Sequence, residues 1–99
     1  MNVKKIEKRT GEIVDFQPSK ITEAIKKALI ATDVDEGLAN QLSDEVVKKI
    51  NSSYSKRNIP SVEDVQDHVE KTLIKHNLAN VAKAYILYRN KQSEKREIK

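Results

Sequence analysis

Apolar residues recur at helical spacing in four separate stretches of this chain, and that repetition leaves little choice of fold. Ile21, Ala24, Ile25, Ala28 and Leu29 form the first stripe, at i, i+3, i+4, i+7 and i+8. Leu38, Leu42, Val46 and Ile50 form the second, flanked by Ala39 and Val47. Val62, Val65, Val69 and Leu73 make the third, and Val81, Ala82, Tyr85, Ile86 and Tyr88 the fourth. Each predicted helix has one apolar face. In a chain of 99 residues, four such faces must meet around a single modest core. The helix ends are marked as well. Pro18 suits a first helical position. Asp33 and Asp35 are N-cap candidates for the second helix, which is expected to fray through Asn51-Ser52-Ser53. Ser61-Val62-Glu63-Asp64 reads as a capping box opening the third. Asn77 can close that helix in the left-handed conformation, and Asn80 is a cap candidate for the last.

The N-terminal stretch has a different character. Ile6, Ile13, Val14 and Phe16 are strand formers with Gly11 between the two arms, which predicts a hairpin over Val3 to Phe16. β-branched Thr10 resists positive φ, so a type I′ turn over Thr10-Gly11 is disfavoured. A type I turn over Arg9 and Thr10 fits better, with Gly11 left-handed in a G1 bulge. Ile59-Pro60 can add a short edge strand. The expected fold class is α+β, a small β-hairpin or three-stranded sheet capping a bundle of about four helices. Residues 1–90 would form the domain, and the charged residues 91–99 a tail or linker.

Several chemistries are excluded at once. The chain has no cysteine, so disulfides, cysteine-ligated metals and thiol catalysis have no basis. It has two glycines, Gly11 and Gly37, too few for a phosphate loop or a dinucleotide fingerprint. His68 and His76 lie eight apart on one predicted helix, about 12 Å of rise, too far to share a metal. Ser52, Ser53 and Ser55 have no nearby histidine to activate them. Carboxylates such as Glu63 and Asp67 read as solvated helix surface. The chain is therefore expected to be non-enzymatic. Its formal charge of +4 suits an anionic ligand, while no block of like charges marks a nucleic-acid arm.

One constellation stands apart. Lys8 and Arg9 lie at the hairpin turn, and Lys20 lies in the first turn of the helix that follows. A helix start already favours anions through its free amides and its dipole. Drawn together, these groups make a phosphate site without a glycine loop. Physics alone fits an ordinary exposed basic hairpin equally well.

The segments Lys8-Arg9-Thr10-Gly11, Phe16-Gln17-Pro18-Ser19-Lys20-Ile21, Val62-Glu63-Asp64-Val65-Gln66-Asp67 and Val81 to Arg89 together resemble an ATP-cone. This is the regulatory nucleotide-binding domain of many ribonucleotide reductases and of the zinc-ribbon repressor of their genes. The resemblance spans about residues 3 to 91. It implies ATP or dATP, with or without Mg2+, as an effector ligand. Lys8 and Arg9 match the basic pair that meets the nucleotide. Val14, Asp15, Phe16, Gln17, Pro18, Ser19, Lys20 and Ile21 match the stretch wrapping phosphates and sugar, with Lys20 as the phosphate lysine. Val62, Val65 and Gln66 match the helix start where adenine lies. Lys91, or Asn90 in its place, would add a phosphate contact. Thr10 stands where the family usually has Asp, Gln17 where it often has Asp or Asn, and Val14 where many members have Glu.

Ile21, Val62 and Val65 also fit plain core packing, as do Tyr85 and Tyr88. Two functions remain in view. One is an allosteric adenine-nucleotide domain in the cytoplasm, acting on a catalytic domain or a second copy of itself, with no membrane partner. The alternative is a small basic nucleic-acid-binding protein, supported by the lysine pairs and opposed by few aromatics and interspersed acids.

Overall fold

The structure, a computed structural model, describes residues 3–97, with side chains described through Arg89. Strand β1 (Lys5–Glu7) pairs antiparallel with β2 (Ile13–Asp15), and four helices follow: α1 (Pro18–Ala31), α2 (Ala39–Ser53), α3 (Val62–Lys75) and α4 (Ala79–Glu97). The fold is α+β, a two-stranded hairpin on a four-helix bundle. α1 packs on α2 and α4, and α3 on the same two, so the helices close a ring. The predicted stripes line its interior: Ile25, Leu29, Val46, Ile50, Val69, Leu73 and Val81 are all essentially inaccessible.

The turn follows from its chemistry. Gly11 N–H donates to Lys8 O at 2.9 Å, and Lys8 N–H donates to Glu12 O at 2.8 Å. Gly11 has φ +88, the left-handed region that the bulged turn requires. The register then sets Lys5 opposite Asp15, Ile6 opposite Val14 and Glu7 opposite Ile13.

Helix ends differ in places from expectation. Pro18 is at the start of α1, and Ser61 and Asp64 form the reciprocal capping box of α3. Asp33 does not cap α2. Its φ of +59 ends α1 instead, with Asp33 N–H donating to Ile30 O and Val34 N–H to Leu29 O, the Schellman pattern. Asn77, at φ +62, ends α3 in the same way, through its own N–H to Ile74 O and Leu78 N–H to Leu73 O. Asp35 caps a 3₁₀ turn over Glu36–Leu38, accepting from Gly37 N–H, and that turn leads into α2. α2 stays helical through Ser53, because Asn51 is held from outside: its Oδ1 accepts from Val3 N–H at 2.8 Å. Asn80 is already inside α4, whose first bond goes from Ala82 N–H to Leu78 O. α4 also continues through the charged stretch from Lys91 to Glu97.

Ile59-Pro60 does not form a strand. Glu7 N–H donates to Pro60 O at 3.0 Å, and a single parallel bridge joins Glu7 to Ser61. Pro60 has no N–H to return a bond, and Ser61 is committed to capping α3, so the ladder stops after one step. The hairpin is thus held lightly: by this bridge, by the Val3–Asn51 bond, by the buried Val3 side chain and by Ile6 and Phe16 packed on the core.

Candidate functional site

β2 runs into α1 through Phe16 and Gln17 with no intervening loop. Gln17 precedes a proline and is therefore extended (φ −116, ψ 95). Its side chain caps nothing, α1 has no acidic residue in its first turn, and Pro18 offers no N–H. The positive end of the α1 dipole is left uncompensated.

A depression of about 480 Å³ opens there, lined by Lys5, Lys8, Ile13, Val14, Asp15, Gln17 and Lys20. Three lysines face one carboxylate. Register places Lys5 across from Asp15, and Lys5 Nζ donates to Asp15 Oδ1 at 2.5 Å. That hydrogen bond, with the lysine charge, holds the Asp15 carboxyl below its ordinary 3.8. Asp15 is thereby neutralised by Lys5. Lys8 and Lys20 have no acidic partner among the described residues, so the two ammonium groups and the helix end form the cationic part of the concavity. A second depression of about 510 Å³ lies between α1 and the 3₁₀ turn and contains Ser19. It sets Glu23 and Glu36 against Lys26, a balance that disfavours an anion.

Arg9 parts company with Lys8, as the bulged turn allows. Its Nε lies 3.7 Å from Glu63 Oε2 in the first turn of α3, with both side chains about half exposed. Glu63 is not plain solvated surface: its Oε1 is out of contact with water and has no hydrogen-bond partner among the described residues. One helical turn on, Gln66 Oε1 accepts from Arg89 Nη1 at 3.1 Å. Arg89 Nη2 lies 2.9 Å from Glu70 Oε1, a largely buried ion pair joining α3 to α4. Tyr85, one turn before Arg89, is buried, and that burial pushes its hydroxyl up to about 12.

The expected site residues thus fall into groups. Lys8, Val14, Asp15, Gln17 and Lys20 share the cationic depression. Arg9 and Gln66 lie on either side of Glu63 along the hairpin–α3–α4 seam, beside half-buried Val62. Ile21 and Val65 are core residues, at 7% and 6% exposure, and Phe16 packs on that core. Pro18 is exposed on α1, and Ser19 faces the other depression. Lys91 is outside the residues whose side chains are described. Sequence reasoning missed Lys5, Ile13, Glu63 and Arg89. Lys5 was within reach, because a bulge at Gly11 dictates its pairing with Asp15. The contacts of Glu63 and Arg89 are tertiary and leave no periodic signal.

The molecule is a small helical-bundle domain crowned by a light hairpin, with lysines gathered in a hollow at their junction. The chain belongs to the ATP-cone family: it matches the ATP cone domain over residues 4–94. It is 40% identical to a vitamin B12-dependent ribonucleoside-diphosphate reductase of Thermoplasma acidophilum, across 98% of this chain and 13% of the reductase. It is 34% identical to the ribonucleoside-diphosphate reductase subunit alpha of Chlamydia trachomatis, across 91% of this chain and 10% of that subunit. With an anaerobic ribonucleoside-triphosphate reductase of Haemophilus influenzae it shares 33% identity, over 91% of this chain and 13% of that protein. The chain therefore spans about a tenth to an eighth of the reductases it matches. Among the described residues no helix is long and apolar enough to cross a membrane.

Proposed function

We propose that this chain is an allosteric domain that binds ATP or dATP and catalyses nothing itself, governing a ribonucleotide-reducing catalytic domain or a second copy of itself in the cytoplasm. The carrying observation is the depression in which Lys8 and Lys20 lie beside the uncapped start of α1 in an ATP-cone chain. Two ammonium groups and a helix dipole suit a polyphosphate, and charge-assisted hydrogen bonds to it are each worth about 1.5–3 kcal/mol. Lys5 is a third donor that can turn from Asp15 to the phosphate. No group of three metal-ligating side chains converges among the described residues, so Mg2+ would ride on the phosphates with its own waters.

Calorimetric titration with ATP and dATP tests this reading. Lys8→Ala and Lys20→Ala should each weaken binding about tenfold or more without loss of helical content. Unchanged affinity in both variants would remove the depression from the site. Steeply salt-dependent binding of DNA or RNA, with no nucleotide effect, would favour the nucleic-acid reading.

A further inference from the structure

Asp15 is the one acid among the described residues that line the β2–α1 depression, where Lys5, Lys8 and Lys20 are the cations. Its place follows from the bulge at Gly11, which sets it across from Lys5 on the neighbouring strand. Both side chains are largely exposed, at 55% for Lys5 and 73% for Asp15, so their ion pair adds little to the hold on the hairpin. The hydrogen bond from Lys5 keeps the carboxyl below its ordinary range, and so ionised at neutral pH. A ligand entering the depression therefore meets an accessible carboxylate whose partner is readily exchanged.

That carboxylate works against a bare phosphate chain. Ammonium groups alone favour the most highly charged anion, which for a nucleotide is the metal-free form. Asp15 has the reverse preference: it repels naked phosphate oxygens and attracts a cation bound to them. Magnesium usually keeps several waters and is held by a carboxylate or two together with the phosphates of its nucleotide. No trio of metal-ligating side chains converges among the described residues, so the depression is not a metal cage in its own right. A lone, exposed, ionised carboxylate beside Lys8 and Lys20 fits a metal that arrives on the phosphates.

Resting on the nucleotide-binding reading above, we propose that Asp15 is a specificity-determining residue that selects the magnesium complex of the nucleotide over its metal-free form. On binding, Lys5 passes from Asp15 to a phosphate oxygen, and the freed carboxylate faces the metal. Lys8 and Lys20 hold the phosphates from the hairpin turn and the start of α1.

The test is calorimetric titration of the full chain with ATP, once in saturating magnesium and once with the metal removed by EDTA, at matched ionic strength. Wild type should bind magnesium-ATP about tenfold tighter than metal-free ATP. Asp15→Asn keeps the size of the side chain and removes its charge. It should bind metal-free ATP more tightly than wild type does and magnesium-ATP more weakly, so that the preference falls to unity or reverses. Asp15→Ser takes its place if Asp15→Asn fails to fold. Equal wild-type affinities, or a wild-type preference for metal-free ATP, would overturn the assignment, since the lysines alone would then set the affinity. An unchanged preference in a folded variant would overturn it too, because the metal would then act through the phosphates without Asp15. In each of those outcomes nucleotide binding survives. Failure of wild type to bind ATP in either form would overturn both readings together.

Discussion

Among the described residues three carry a left-handed backbone, and only one of them is glycine. Gly11 sits at φ +88 with open space where a Cβ would be placed, so a side chain there meets no clash and suffers only the backbone cost. Gly11→Val should destabilise by about 1–2 kcal/mol, read as a lower urea midpoint at unchanged slope. Asp33 and Asn77, at φ +59 and +62, bear the same conformation with a side chain present. Asp33→Gly should therefore raise stability by about 0.5–1 kcal/mol, partly offset by a freer unfolded chain. Titration supplies another residue-level test. The hydrogen bond from His76 Nε2 to Glu45 Oε1, at 2.7 Å, holds the Glu45 carboxyl below its ordinary 4.5, with Lys75 contributing less. A carboxyl depressed by folding adds stability above its unfolded value and loses it as pH falls through the lowered folded value. The pair is partly exposed, so its contribution is small. His76→Ala should flatten the fall of the urea midpoint between about pH 5 and about pH 3.

At the scale of elements, the bundle and the hairpin are held by different physics. The helices share a continuous apolar core, whereas the hairpin rests on one parallel bridge, a few hydrogen bonds, buried Val3 at its foot and half-buried Ile6 and Phe16. Two short strands alone are marginal in water. Amide hydrogen exchange should find Ile6 and Val14 opening faster than Leu29, Val46 and Val69, and ATP should slow the hairpin far more than the bundle. α3 has its own anchor. Ser61 Oγ accepts from Asp64 N–H at 3.1 Å while Asp64 Oδ2 accepts from Ser61 N–H at 3.0 Å. Ser61→Ala should cost about 1 kcal/mol, lowering Tm by about 4–8 °C for a domain of this size.

Over the whole molecule, the lightly held hairpin is the element whose order a ligand at its base can change. A regulator needs two states that its ligand binds unequally, and under the proposed function a hairpin closing on a polyphosphate would supply them. Sedimentation with no ligand, ATP and dATP should show association that depends on the nucleotide, and identical behaviour despite demonstrated binding would defeat that expectation. Leu87, 62% exposed beside half-buried Ile86 and Tyr88, gives α4 an apolar outer surface, so Leu87→Ser should leave the fold within about 0.5 kcal/mol of wild type. By itself the sequence determined whatever depends on neighbours along the chain. The helical stripes, the bulged turn at Gly11, the capping box at Ser61 and the left-handed Asn77 all follow from local periodicity and dihedral preference. Tertiary structure decided the rest. It made Asp33 an end to α1, because Val34 there finds the core. It stopped the third strand at one bridge, because Pro60 meets Glu7 from a distant segment. Arg9 was drawn toward Glu63 while Lys8 and Lys20 shared the hollow, and Arg89 was joined to Gln66. Such contacts span many residues of separation, and spacing along a chain does not encode which side chains will face one another once four helices have closed around a core.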